Sequence, residues 1–269
     1  MKREPEGTDI TNEPQALPQA NEIWQTTVHW QPTETQQTQF QTLYELILSG
    51  NRQLNLTRIT EPNEFWEKHV WDSLRGIASW QTAPETLTSG QTFPSLPISA
   101  SAQVIDIGTG GGFPGIPVAI AQPDWHITLL DSTRKKMAFL DTVITALGLP
   151  NVATMSDRAE SLGQHSQHRA HYDLALVRAV AEAAVCAEYA LPLLKLGGFA
   201  VLYRGQWADS DTQALKSAVA QLGGAIAQVV TFTTPLSQGI RHCIYLQKMA
   251  RTPGRFPRAI GIPVKQPLV

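Results

Sequence analysis

The chain has 269 residues, 42% of them apolar, a formal net charge of −2 and two cysteines. That supports one large domain, or a core with a small accessory domain, and excludes a uniformly basic or acidic chain. There is no run of about 18 apolar residues and no charged, apolar, then small-residue N-terminus, so neither a membrane span nor a secretory signal is expected.

Cys186 and Cys243 are far apart and in no ligand-like spacing, which reads as two buried reduced thiols and a cytoplasmic setting. The charge is unevenly spread. After Asp211 there is no acid, while Lys216, Arg241, Lys248, Arg251, Arg255, Arg258 and Lys265 follow. A basic C-terminal end suits either a polyanionic partner or plain solvation.

In chain order, residues 1–20 are polar and proline-containing and read as a disordered tail. Residues 21–80 read as a helical cap: helices over 21–28 and 33–49, the second closed by Gly50, a loop over 51–60, and a helix from Pro62 or Asn63 to about Ile77. Residues 81–101 are rich in Ser, Thr and Pro and read as a linker. Residues 102–250 alternate strands (103–107, 126–130, 151–155, 172–177, 198–204) with helices (114–121, 133–147, 182–194, 209–222). They close with two apolar segments, 225–232 and 240–248, in hairpin spacing. The tail 251–269, with Pro253, Pro257, Pro263 and Pro267 among its cations, is expected to be extended and to order on a partner.

The informative stretch is Val104-Ile105-Asp106-Ile107-Gly108-Thr109-Gly110-Gly111-Gly112-Phe113-Pro114-Gly115. It reads as a buried parallel strand running into a tight turn whose bare backbone lies against a ligand. Dinucleotide folds use G-x-G-x-x-G with a diphosphate on the following helix; here Phe113 holds the third glycine position, and Pro114 and Pro117 remove N–H donors. Asp106, Gly108, Gly110 and Gly112 fit D-x-G-x-G-x-G, which resembles motif I of the S-adenosylmethionine-dependent methyltransferases. Asp131 ends the second strand, where an acid can accept ribose hydroxyls, or with Ser132 and Thr133 cap the next helix. Asp157 to Glu160 follow the third strand, on the adenine side of such a fold. Arg178 ends the fourth. An Asn/Asp-Pro-Pro-aromatic is missing there, and Cys186 falls inside a helix, which disfavours exocyclic-amine and base-C5 methylation. The expected architecture is α/β: a Rossmann-like class I S-adenosylmethionine-dependent methyltransferase fold, with a mostly parallel seven-stranded sheet, a terminal antiparallel hairpin and the helical cap.

Three segments make the likeness narrower: Asp106 to Pro117, Thr128 to Leu140, and Val177-Arg178-Ala179. With Asn55-Leu56-Thr57, Lys68 to Leu74 and Arg255-Phe256-Pro257-Arg258, they closely resemble the small-subunit ribosomal RNA methyltransferase G family, also called glucose-inhibited division protein B. The resemblance covers roughly residues 35–265. It implies methylation of guanine N7 in the 530 loop of 16S rRNA (position 527) from S-adenosylmethionine, giving S-adenosylhomocysteine. The partner it implies is 16S rRNA or the small ribosomal subunit; a monomer and no metal are expected. It carries cofactor contacts onto Gly108, Gly110, Phe113, Asp131, Ser132, Thr133, Ala159, Glu160 and Arg178. One departure is Tyr203-Arg204-Gly205, where many relatives have Lys before the glycine; Arg keeps the charge but not the geometry.

Guanine N7 carries a lone pair and no proton, so it can attack the sulfonium methyl in line without a general base. No catalytic residue beyond an orienting Arg178 is therefore assigned. The RNA-side candidates are His69, Arg75, Arg204, Arg241, Arg251, Arg255 and Arg258, although a His on an apolar helix face, such as His69, is more often a hydrogen-bonded packing residue. The second functional reading is a cofactor-binding ribosome-assembly factor with little catalysis.

Overall fold

In a computed structural model of the chain, residues 15–80 and 98–269 are described. The polar tail through residue 14 and most of the 81–101 linker lie outside them. The cap holds α1 (Asn21–Thr27) and α2 (Glu34–Leu54), then one continuous helical rod made of α3 (Pro62–Phe65), a π-helical segment Trp66–Trp71, and α4 (Asp72–Arg75). The sheet region contains β1 (Gln103–Ile107), α5 (Gly115–Ala121), β2 (His126–Asp131), α6 (Arg134–Leu147), β3 (Val152–Ser156), α7 (Ala159–Leu162), β4 (Tyr172–Arg178) and α8 (Ala183–Ala190). It continues with β5 (Leu194–Arg204), α9 (Asp209–Gln221), β6 (Gly224–Thr233), β7 (Ile240–Lys248) and α10 (Ile262–Lys265).

The seven strands are ordered β3-β2-β1-β4-β5-β7-β6. The first five are parallel, and β7 inserts antiparallel between β5 and β6. The expected α/β class with a terminal hairpin is thus observed. The strand order reverses at β1, so the turn after it opens at the crevice where such sheets bind ligands.

Alternation along each strand divides the core between two faces. Val104, Leu129, Val201 and Tyr245 pack in one cluster with Trp24, Phe40, Trp66 and Trp71 of the cap. Ile105, Val177, Leu202 and Ile244 face the other way, onto α8, α9 and Phe256 of the tail. The cap therefore shares a core with the sheet. Polar ties reinforce the junction. Thr33 and Gln36 form a capping box at the start of α2. Gln36 Nε2 also donates to the Ile120 carbonyl at 2.8 Å, and Gln39 Nε2 to the Leu147 carbonyl at 2.9 Å, at the ends of α5 and α6.

Three sequence expectations are corrected. Gly50 does not close α2; the helix continues to Leu54 and ends on Asn55 in the left-handed region (φ 49°). Gly50 answers a packing demand instead, since a Cβ there would lie 2.4 Å from the Phe139 ring of α6. The helix expected over 182–194 stops at Ala190, with a 3-10 turn Leu191–Leu193 containing Pro192; proline clashes with the preceding turn and ends it. The tail, expected to be extended, is docked on the domain, with Phe256 3% exposed.

Trp24 is 1% exposed and packs edge-on to Trp30 and Trp66. Trp24→Ala is expected to cost about 3–5 kcal/mol. Because cap and sheet share this cluster, fluorescence and circular dichroism should still report one coincident urea transition; separate cap and sheet transitions would contradict the shared core.

Candidate functional site

The glycine turn is built by backbone geometry. Gly108, Gly110 and Gly112 have φ of 71°, 58° and 92°, where side chains are strained. At Gly108 a Cβ would also strike Val180 at 2.6 Å. The turn is anchored to β2 by the Gly108 and Thr109 amides, which donate to the Leu130 carbonyl at 2.8 and 3.0 Å.

Two carboxylates fix its shape. Asp106 is fully buried; its Oδ2 accepts from Thr109 Oγ1 at 2.6 Å and from the Gly115 amide at 2.8 Å, at the start of α5. Burial pushes its carboxyl up to about 6, against these two hydrogen bonds and the Arg178 charge. Asp131 Oδ2 accepts from the Gly110 amide at 3.1 Å and Oδ1 from the Thr133 amide at 2.8 Å. The same residue thus braces the turn and holds the Thr133 amide just before α6, while lining two adjoining cavities.

The smaller cavity, about 240 Å³, has an apolar floor of Ile107, Leu130 and Ala159 and holds Asp131, Ser132 and Glu160 on its wall. The larger, about 710 Å³, is bordered by Gly108, Gly110, Phe113, Asp131 and Arg178. Every site residue expected from the sequence therefore reaches one of the two cavities except Thr133, which is exposed at the head of α6 and lines neither.

Across the larger cavity the cap contributes Lys68, His69 and Asp72. Arg178 joins the two sides. Its Nη1 donates to the Lys68 carbonyl at 2.8 Å and to Asp72 Oδ2 at 3.1 Å, and its Nη2 lies 3.4 Å from His69 Nδ1. His69 Nε2 lies 2.7 Å from Thr57 Oγ1, and its ring stacks on Phe113 with centroids 4.4 Å apart and planes at 14°. An Nδ1 that accepts from Arg178 puts the imidazole proton on Nε2, where it donates to Thr57. Burial first, then the Arg178 and Lys68 charges, hold the His69 imidazole down at about 3. Of its two readings, the packing one is what the geometry displays. Asp72 moves the other way: burial raises its carboxyl, opposed by Arg178 and Arg241.

The cationic candidates divide. Arg75 is 3% exposed, with its guanidinium 4.9 Å from the Phe232 ring centroid, so it belongs to the core. Arg258 is paired with buried Glu188 at 2.6 Å. Arg204 borders the larger cavity but donates to the Ala181 carbonyl at 2.7 Å and to Cys186 Sγ at 3.3 Å, holding the loop after β4. Arg241 and Lys136 border the same cavity, and Arg251 and Arg255 are exposed on the tail. Sequence reasoning passed over Lys136, within the basic run Arg134-Lys135-Lys136 that opens α6, and Val264, in an apolar Ile-Pro-Val run inside the tail. It also passed over Glu67, whose Oε1 accepts from the Leu236 and Ser237 amides at 2.6 and 2.9 Å and ties the β6–β7 turn to the cap. Among the described residues no group of three or more His, Cys, Asp or Glu is placed to hold a metal ion, and no helix is long and apolar enough to cross a membrane.

A neutral, buried His69 makes a signed prediction. Its value falls from 6.5 to about 3 on folding, so the unfolded chain binds the extra proton. Its contribution is complete above about 6.5 and is lost as pH falls towards 3. The His69 ring resonance should show no titration between about pH 5 and 8, whereas a free histidine titrates there; a midpoint near 6.5 would refute the arrangement.

With the geometry in hand, the chain can be set beside known proteins. A family model described as rRNA small subunit methyltransferase G (GidB) matches residues 36–103 and 98–244. The chain is 60% identical over 252 residues to the ribosomal RNA small subunit methyltransferase G of Nostoc punctiforme, covering 94% of this chain and 98% of that one. The protein of the same name from Trichodesmium erythraeum is 50% identical over 258 residues, covering 96% of this chain and 97% of its own. Among solved structures, a variant of MtNAS aligns with a TM-score of 0.50 at 12% identity, covering 80% of this chain and 75% of that one, a likeness of fold alone. The chain belongs to the rRNA small subunit methyltransferase G family.

Proposed function

We propose that this chain transfers a methyl group from S-adenosylmethionine to N7 of a guanine in the 530 loop of 16S rRNA (position 527), acting as a monomer in the cytoplasm. One observation carries the reading: two cavities, one with an apolar floor and one rimmed by cations, meet across the bare backbone of Gly108 and the Asp131 carboxylate. That division suits a ligand with a flat, mainly apolar end, a diol and a charged end.

The residues fit such a cofactor. Glu160 Oε2 is a buried acceptor without a partner among the described residues, beside the smaller cavity. Asp131 stands where a diol would lie. Arg178 spends three of its five N–H donors on Lys68, Asp72 and His69, leaving two for a carboxylate or phosphate. The cofactor supplies an electrophilic sulfonium methyl; the protein supplies position and dryness. A guanine N7 needs no proton removed, which agrees with a site whose one imidazole is held neutral and engaged on both nitrogens. The methylated base is a cation, and Asp72 is a carboxylate on the same cavity wall to offset it. Arg241 and Lys136 on the rim suit RNA phosphates.

Labelled S-adenosylmethionine should be incorporated as N7-methylguanine at one site when the chain is given 16S rRNA or assembled small subunits. Absence of incorporation into free rRNA, subunits and ribosomes alike would favour an assembly factor. RNA affinity should fall steeply with salt. Arg178→Ala is expected to weaken cofactor or RNA binding by about tenfold or more, the loss of a charged hydrogen bond; unchanged affinity for both would remove Arg178 from the site.

A further inference from the structure

The tail past β7 is held more tightly than a solvated basic end requires. Arg169 Nη1 donates to the Gly163 and Phe256 carbonyls at 2.7 Å each, and its Nη2 to the Thr252 and Pro253 carbonyls at 2.9 and 3.2 Å. The Lys248 ammonium donates to Thr252 Oγ1, which donates in turn to the Leu222 carbonyl at 2.6 Å. Arg258 then meets Glu188, which is fully buried, through four contacts: its amide at 2.8 Å, Nε at 2.9 and 3.1 Å and Nη2 at 2.6 Å.

These anchors carry the chain to the smaller cavity. There the Gly261 amide donates to Glu160 Oε1 at 3.0 Å, the same oxygen that accepts from Tyr189 Oη at 3.1 Å and Arg158 Nη2 at 3.2 Å. Oε1 is thus satisfied jointly by the tail and the body of the fold, while Oε2 is buried without a partner among the described residues, in a carboxylate that lines the smaller cavity. Three residues on, Val264 of α10 forms part of the cavity wall although it is 55% exposed. An apolar side chain kept at the mouth of a cavity with an apolar floor gives a flat ring a second face to lie against.

We propose that the C-terminal tail is a wall of the adenosine end of the cofactor site: Gly261 orients Glu160, Val264 closes the ring's outer face, and the Arg258–Glu188 pair docks both. Tail docking then sets cofactor affinity, and Arg258 serves there as an anchor, not as an RNA contact. This rests on the reading of the site as one for S-adenosylmethionine.

The test uses the full chain and S-adenosylhomocysteine, with adenosine as a competitor. Val264→Asp changes a half-exposed side chain and should leave the thermal midpoint in place while weakening S-adenosylhomocysteine at least tenfold and adenosine in parallel. Arg258→Ala should weaken both ligands likewise but lower the thermal midpoint, each effect partly restored in Arg258→Lys, which keeps the charge but not the fork. If Arg258→Ala fails to fold, Val264→Asp decides. Unchanged binding of both ligands by Val264→Asp overturns the inference, as does a loss confined to 16S rRNA affinity. Failure of the unaltered chain to bind S-adenosylhomocysteine would instead remove the cofactor reading itself.

Discussion

The arrangement depends on one guanidinium. Arg178 stands at the carboxyl end of β4, and the Lys68 carbonyl, Asp72 and His69 meet it from the cap. A charge at the end of a central strand is costly unless its donors are placed. Here the cap places them, so the cap cannot shift without leaving Arg178 and Asp72 partly buried and unmatched. Lys68, His69 and Asp72 fall at i, i+1 and i+4 along the rod, a spacing that puts them on one side of it. Cap and sheet then behave as one body, with the larger cavity enclosed between them.

The glycine turn is stiffened by the same economy of contacts. Asp106 holds its inner side from below and Asp131 its outer side from β2, so the backbone is fixed before any ligand arrives. Phe113, in the position where a dinucleotide fold would carry glycine, fills the space between the turn and the cap by stacking on His69 and meeting Phe65 edge-on at 5.6 Å. The residue that argues against a diphosphate in the sequence is therefore also the one that couples the turn to the cap.

The strands and the turn were legible because their signals are local: Val-Ile-Asp-Ile followed by glycines, Ile-Thr-Leu-Leu ending in Asp131, and an unmistakable alternation of strand and helix. What was not legible depends on distant partners. Gly50 resembles a helix stop until Phe139 of α6 is placed against it. Arg75 and Arg258 count as cations in composition, yet Phe232 and Glu188, 157 and 70 positions away, decide that neither is free. Val264 gave no signal, because a lone valine in a proline-rich tail acquires meaning only from the cavity it borders.

This changes how the basic C-terminal end should be read. Of its seven cations, Arg258 neutralises a buried acid and Lys248 is buried against backbone and hydroxyl oxygens. The tail is stapled by a third cation from elsewhere in the chain, Arg169, which uses four tail and loop carbonyls as its acceptors. Five of the seven are left for a polyanion: Arg241 at the cavity rim, where Lys136 joins it, and Lys216, Arg251, Arg255 and Lys265, which are exposed. On the proposed reading, a long RNA held by these few cations gains modest affinity from each, and selectivity comes from the shape of the cavity between cap and sheet, which Arg178 holds in place.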